Sequence, residues 1–117
     1  MKQNNLQKER ERIKNVYTKY MSDETFYKKW SSNNLGNQFI FEERYQAIEK
    51  LLFKRGVKLH NKKILEVGCA GGNIITSLLR LGAVKENIHG IDIRYDRLND
   101  ARKAYPNVKF SIMDAGA

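Results

Sequence analysis

The run Lys63-Ile64-Leu65-Glu66-Val67-Gly68-Cys69-Ala70-Gly71-Gly72-Asn73 constrains the fold of this chain more than any other. Ile64 to Val67 is a short β-rich stretch that reads as a buried strand. A turn of small residues follows, and Asn73 to Leu81 then changes period. There Ile74, Ile75, Leu78 and Leu79 share one helical face and Gly82 stands at the end. A strand that passes through a glycine turn into a helix is the opening of a β-α-β unit. Gly68, Ala70, Gly71 and Gly72 put little in the way of a ligand approaching the backbone. Glu66 sets a negative group at the strand end. Such a group suits a ligand with hydroxyls or a positive charge better than a bare phosphate.

The same alternation continues downstream. Ile88-His89-Gly90-Ile91-Asp92-Ile93 is a second strand, and Asp92 lies twenty residues beyond Gly72. Tyr95 to Ala104 is a second helix, closed by Pro106, the only proline. Val108, Phe110 and Ile112 alternate with Lys109, Ser111 and Met113, which predicts a third strand ending at Asp114. Right-handed crossovers give a parallel sheet in the order 3-2-1. That order alone leaves Ile64–Val67 as an apolar edge strand.

Upstream of residue 60 the period is helical throughout. Leu6, Ile13, Val16, Tyr17 and Tyr20 draw one stripe on a helix over 5–20. Ser22-Asp23-Glu24 resembles a helix start, with Ser22 or Asp23 as cap and a short helix through Phe26 and Trp30. Residues 31–37, Ser-Ser-Asn-Asn-Leu-Gly-Asn, read as a loop. A further helix over 38–54 carries Phe41, Tyr45, Ile48 and Leu52, with Leu51 beside them and Gly56 as stop signal. Trp30, Phe39, Phe41 and Tyr45 are core candidates rather than a substrate box. Tyr17, Tyr20 and Arg44 are candidates for a pocket mouth. The expected organisation is an N-terminal helical segment over 1–60, capping the sheet or its ligand site, and an α/β segment over 61–117.

Charge bears on partners. The net charge is +9, with a basic surplus of six in residues 1–60 and of three in the remainder. A basic surplus invites nucleic acid. The charges of residues 8–14 alternate in sign, however, as on a solvated helix face. Nucleic acid is therefore not the favoured partner. No apolar run approaches the roughly 20 residues of a membrane span, and no membrane partner is expected. The first residues lack an apolar h-region, and Glu9 and Glu11 argue against a transit peptide. The single cysteine, Cys69, cannot pair internally, so a reducing, cytoplasmic setting is the expectation.

Among the chemical groups, Asp92 ends a strand and can accept from both hydroxyls of a ribose, against the alternative of a helix cap. Asp114 can accept from an exocyclic amine while a backbone N–H serves a ring nitrogen, or it is a surface turn residue. Cys69 has no evident basic partner in sequence and reads as a packing residue more than a nucleophile. His60 and His89 lack metal-ligand spacing with Cys69 or each other, so no metal site is expected. The nicotinamide fingerprint G-x-G-x-x-G fits poorly: counted from Gly68, its second glycine is Ala70 and its third is Asn73.

Leu65-Glu66-Val67-Gly68-Cys69-Ala70-Gly71-Gly72 resembles the first motif, E/D-x-G-x-G-x-G, of the class I S-adenosylmethionine-dependent methyltransferases, with Ala70 in place of the middle glycine. Gly90-Ile91-Asp92-Ile93 is similar to that family's second motif and Met113-Asp114-Ala115 to its third. The resemblance covers about residues 62–117. It implies an α/β protein: N-terminal helices, then a β-α-β-α-β half of a Rossmann-like parallel sheet, truncated after the third strand. It implies S-adenosylmethionine as cofactor and S-adenosylhomocysteine as product. The implied cofactor residues are Glu66, Gly68, Cys69, Ala70, Gly71, Gly72, Asn73, Asp92, Ile93, Asp114 and Ala115. Glu66 would lie near the ammonium, the turn under the methionyl and ribose portions, Asp92 on the ribose, Ile93 against adenine and Asp114 at its amine.

Catalytic and acceptor-binding groups usually follow the third strand in that family, so none is assigned and activity of these 117 residues alone is not expected. A small-molecule acceptor is favoured. The competing readings are a non-catalytic module that binds the cofactor or a partner, and a nucleic-acid-binding protein or RNA methyltransferase using the basic helices. The edge of the first strand is expected to meet either missing strands or a second copy.

Overall fold

The computed structural model describes residues 2–22 and 34–116. The chain divides into two compact units, Met1–Gln46 and Ala47–Ala117. Helix α1 spans Lys2–Ser22, a few residues longer than the apolar stripe predicts. Arg12 donates through Nε and Nη2 to the Glu9 carboxylate one turn earlier, at 2.9 and 2.6 Å. The cap expected at Ser22 or Asp23 belongs to a segment outside the described residues. The Ser22 hydroxyl donates back to Lys19 O, at the end of α1. The helix expected through Phe26 and Trp30 lies outside the described residues.

Helix α2 spans Leu35–Arg55, so it starts three residues before the predicted boundary. The Asn-Leu-Gly-Asn composition reads as loop, but Asn34 acts as a cap. Its Oδ1 accepts from the backbone N–H of Gly36 at 2.9 Å and of Asn37 at 3.4 Å. At the other end Gly56 takes a left-handed φ of 64°. Its N–H donates to Phe53 O and that of Val57 to Leu52 O, which closes the last turn. Phe41, Tyr45, Ile48 and Leu52 are half-buried as their spacing predicts, while Leu51 is exposed. Arg44 stacks over the Phe41 ring, 5.2 Å from its centroid.

The α/β unit follows as β1 Ile64–Val67, α3 Asn73–Arg80, β2 Ile88–Asp92, α4 Tyr95–Ala104 and β3 Lys109–Ile112. The sheet is all parallel, in the order β1-β2-β3. It is the β-α-β-α-β half of a Rossmann-like α/β fold. Ile64 pairs with Ile88, and Glu66 with Gly90, which pairs in turn with Phe110. Paired residues of a parallel ladder share a face, so these positions look one way while Leu65, Val67, His89, Ile91, Lys109 and Ser111 look the other.

The first face carries the core: Cys69, Ile75, Ile88, Leu98, Ala101, Val108 and Phe110, with Ile64, Leu78, Leu79 and Tyr105 packed against it. Ile75 and Leu98 come from the apolar sides of α3 and α4. Burying such side chains stabilises the unit by roughly 1.5–3 kcal/mol each. Gly82 ends α3 in a second left-handed cap, with its N–H on Leu79 O and that of Ala83 on Leu78 O.

β1 departs from the expectation of a buried strand. It is an edge strand, and Leu65 and Val67 are 60% and 57% exposed. Their apolar character records the face they lie on, which is open at β1 while Ile91 on the neighbouring strand is buried. Ile112 is likewise half-exposed, because β3 is the other edge. Among the described residues no helix is long and apolar enough to cross a membrane.

Candidate functional site

The site is built where β1 and β2 end. After Val67 the chain wraps over the end of β2. The N–H groups of Gly68 and Cys69 both donate to Ile91 O, at 2.8 and 3.1 Å, and that of Gly72 donates to Cys69 O at 3.0 Å. The N–H of Ala70 donates to Asp92 Oδ2 at 2.9 Å. Gly68, Ala70 and Gly72 have φ of 71°, 45° and 95°. Glycine adopts this region freely, whereas an alanine there costs about 1–2 kcal/mol. Among the described residues Ala70 is the one non-glycine with positive φ.

The glycines of the turn have different neighbours. A β-carbon at Gly68 would meet nothing within 4 Å. At Gly71 it would stand 3.2 Å from Arg97 Nη2, and at Gly72 2.8 Å from Tyr105 Cε2. At Gly72 the Tyr105 ring closes the space, whereas at Gly71 the neighbour is the end of the flexible Arg97 side chain, which can shift by a few tenths of an ångström. Only at Gly68 does the missing side chain leave open space that a ligand can use.

Three carboxylates stand at the carboxyl ends of the strands: Glu66 in β1, Asp92 closing β2 and Asp114 just past β3. This is the edge where open α/β sheets bind ligands. Glu66 lies on the core face beside Gly90, next to the turn. Asp92 accepts from Ala70 N–H on Oδ2 and from Arg94 N–H on Oδ1, at 2.9 Å each. A carboxylate offers about four acceptor sites, so each oxygen keeps one more for a hydroxyl. Arg94 is itself the N-cap of α4 and no side chain caps that helix, so Asp92 makes a turn bond two residues on and not a helix cap.

Asp114 accepts from Gly116 N–H at 2.7 Å, as a turn aspartate does. The ladder brings it near Asp92, since Met113 N–H donates to Asp92 O at 3.0 Å. Ile93 is half-buried, and Asn73 and Ala115 are exposed. The described residues contain no group of three His, Cys, Asp or Glu side chains able to hold a metal ion.

Cys69 is 4% exposed. Burial, with the Glu66 and Asp92 charges adding to it, pushes its thiol up to about 11. It is protonated at neutral pH and is not a poised nucleophile. Beyond Asp92, Arg94 is buried and grips Asp96 through Nε and Nη2, at 3.0 and 2.6 Å. That hydrogen bond holds the Asp96 carboxyl below the usual range. Arg97 lies between Gly71 and a looser partner, Asp100, at 3.8 Å. The hydroxyls of Tyr105 and Thr76 share a hydrogen bond that ties the end of α4 to the first turn of α3.

Sequence reasoning did not single out Arg97 or Tyr105, and nothing local marks them, since both reach the turn from more than twenty residues away. Gly90 did carry a signal. A glycine inside a strand marks a close approach of another group. Tyr17, Tyr20 and Arg44, read as candidates for a pocket mouth, belong to the other unit.

No family model matches the chain. Over 57 residues it is 39% identical to the protein named "Putative methyltransferase 235L" of Invertebrate iridescent virus 6, a match that covers 46% of this chain and 20% of that protein. The chain thus spans about a fifth of the length of this curated relative, to which it is similar in part. Among solved structures, the crystal structure of Thermoplasma acidophilum 1320 matches with a TM-score of 0.50 at 18% identity, covering 62% of this chain and 38% of that one. That likeness is one of fold.

Proposed function

We propose that the α/β unit is the cofactor-binding part of a class I S-adenosylmethionine-dependent methyltransferase. The observation that carries this reading is the bond from Ala70 N–H to Asp92 Oδ2. It fixes an acidic strand end against a glycine turn, with acceptor sites left over for two vicinal hydroxyls. The partial similarity to a protein named as a methyltransferase supports the same class. Gly68 offers the open approach that the cofactor needs.

In this reading Glu66 faces the ammonium and the Gly68–Gly72 backbone runs beneath the methionyl and ribose portions. Asp92 holds the ribose, Ile93 packs on adenine, and Asp114 takes its amine while the Ala115 backbone N–H serves a ring nitrogen. Cys69 and Asn73 shape the turn and the start of α3. The cofactor supplies an activated methyl group on a good leaving group. The residues of this chain orient that group and keep water from it.

Calorimetry with S-adenosylhomocysteine tests the reading. Asp92→Ala is expected to weaken binding by about 1–3 kcal/mol, the cost of hydrogen bonds to a charged group. Unchanged affinity in the variant, or tighter binding of NAD, overturns it.

The favoured acceptor is a small molecule. Charge pairing within α1, where Glu9 neutralises Arg12, weakens the case for a polyanion. A filter-binding titration at two salt concentrations checks this, and tight binding with a steep salt slope counts against it. The edge of β1 offers unpaired backbone groups to a further strand. The 117-residue chain by itself is expected to self-associate there, which sedimentation across micromolar concentrations would read.

A further inference from the structure

We infer that Gly90 is a positioning residue for the turn: by receiving the Cys69 side chain it sets how deep the Gly68–Gly72 backbone sits over the end of β2. The inference rests on the reading of that turn as the ligand site. Gly90 lies in the middle of β2 on the core face, flanked by Glu66 and Phe110. A β-carbon there would stand 2.8 Å from Cys69 Sγ and 2.8 and 2.9 Å from Phe110 Cδ1 and Cε1. No side chain fits at those distances unless one neighbour moves.

The two neighbours differ in what they carry. Phe110 is a strand residue in the buried cluster that also holds Ile88, Leu98 and Val108, and a close-packed interior resists displacement. Cys69 is the second residue of a turn at the open end of the sheet. Its backbone carries the anchors of the site. Its N–H, with that of Gly68, holds Ile91 O, its carbonyl holds Gly72 N–H, and the next N–H holds Asp92.

Lifting Cys69 therefore moves the open approach at Gly68 and the Asp92 carboxylate relative to each other. A small polarisable side chain suits such a stop. The protonated state of the thiol fits a packing role and leaves no nucleophilic one. Gly90 thus acts on the ligand through Cys69, two strands' ends apart in sequence and in direct contact in space.

Gly90→Ala, Cys69→Ala and the double variant of the full chain test the inference. Two readouts apply: S-adenosylhomocysteine affinity by calorimetry, and amide exchange by NMR, which needs no ligand. Gly90→Ala is expected to weaken binding and to speed exchange at Ala70 by about tenfold each, since small displacements of a binding constellation cost at least that much. Exchange at Ile75 and Leu98 stays unchanged. Adding Cys69→Ala to Gly90→Ala is expected to bring both readouts to within about threefold of those of Cys69→Ala measured by itself, so that Gly90→Ala has no further effect once the thiol is gone.

A double variant as impaired relative to Cys69→Ala as Gly90→Ala is relative to the native chain overturns the inference. So does rescue by Phe110→Leu in place of Cys69→Ala, which would put the strain in the core. If Gly90→Ala does not fold, Cys69→Val crowds the same contact from the turn side. Native exchange at Ala70 in that variant also overturns it. If the native chain fails to bind S-adenosylhomocysteine, the cofactor reading fails while the exchange experiment still decides the role of Gly90.

Discussion

The two units of this chain use apolar residues in opposite ways. In Met1–Gln46 the described residues bury one side chain, Asn37, and leave Leu6, Tyr17, Tyr20, Leu35, Phe39 and Ile40 about half-exposed or more. In Ala47–Ala117 seven residues form one continuous cluster between the sheet and its two crossover helices. Both have similar helical patterning in sequence, yet only the second has a sheet face to bury it against. A helical stripe states what a helix can cover; a parallel ladder with crossovers supplies the surface.

The largest expected effect measures that difference directly. Leu98→Ala in α4 should cost about 2–5 kcal/mol in urea unfolding, through lost transfer energy and a cavity. Leu6→Ala in α1, already 48% exposed, should cost less than about 1 kcal/mol. Equal costs would break the comparison. Next in size is the chemistry of the single thiol. With a folded value of about 11 against an ordinary 9.0, Cys69 should be alkylated at pH 8 on the order of 100-fold more slowly than in unfolded chain, because the thiolate is that much rarer.

The same shift has a stability sign. A thiol raised by folding contributes stability that is present below pH 9 and lost as pH rises toward about 11. Urea midpoints measured across that window should fall more in the native chain than in Cys69→Ala.

Ala70→Gly sharpens the picture from the other side. It relieves a left-handed alanine, and the variant should gain about 1 kcal/mol with the Asp92 bond retained. A loss of stability would mean that the Ala70 methyl group packs favourably enough to outweigh its strain. The smallest effect belongs to α1. Arg12→Ala removes an exposed one-turn ion pair, and the urea midpoint should not move measurably.

The fold was largely legible because its signals are local. The change of period after Lys62, the strand-turn-helix junction at Val67–Asn73 and the carboxylate closing each strand sit within a few residues of what they specify. The strand order 3-2-1 followed from the handedness of crossovers. The loop read over 31–37 misplaced the start of α2, because Asn and Gly serve both loops and caps. Only the hydrogen bonds of Asn34 show which.

Among the site residues, Glu66, Gly68 and Asp92 could be proposed from sequence alone, as a strand end, a small turn residue and a strand end again. What each small residue is for could not. Gly72 answers to Tyr105, and Gly90 to Cys69 and Phe110. Those partners lie roughly twenty to thirty residues away, and steric exclusion at 3 Å leaves no trace in local periodicity. Composition and spacing determined which elements form and where their polar ends fall, because those follow from backbone preference and alternation. The tertiary structure decided which face of β1 stays open and which glycine of the turn has open space beside it, because both depend on contacts between residues distant in sequence.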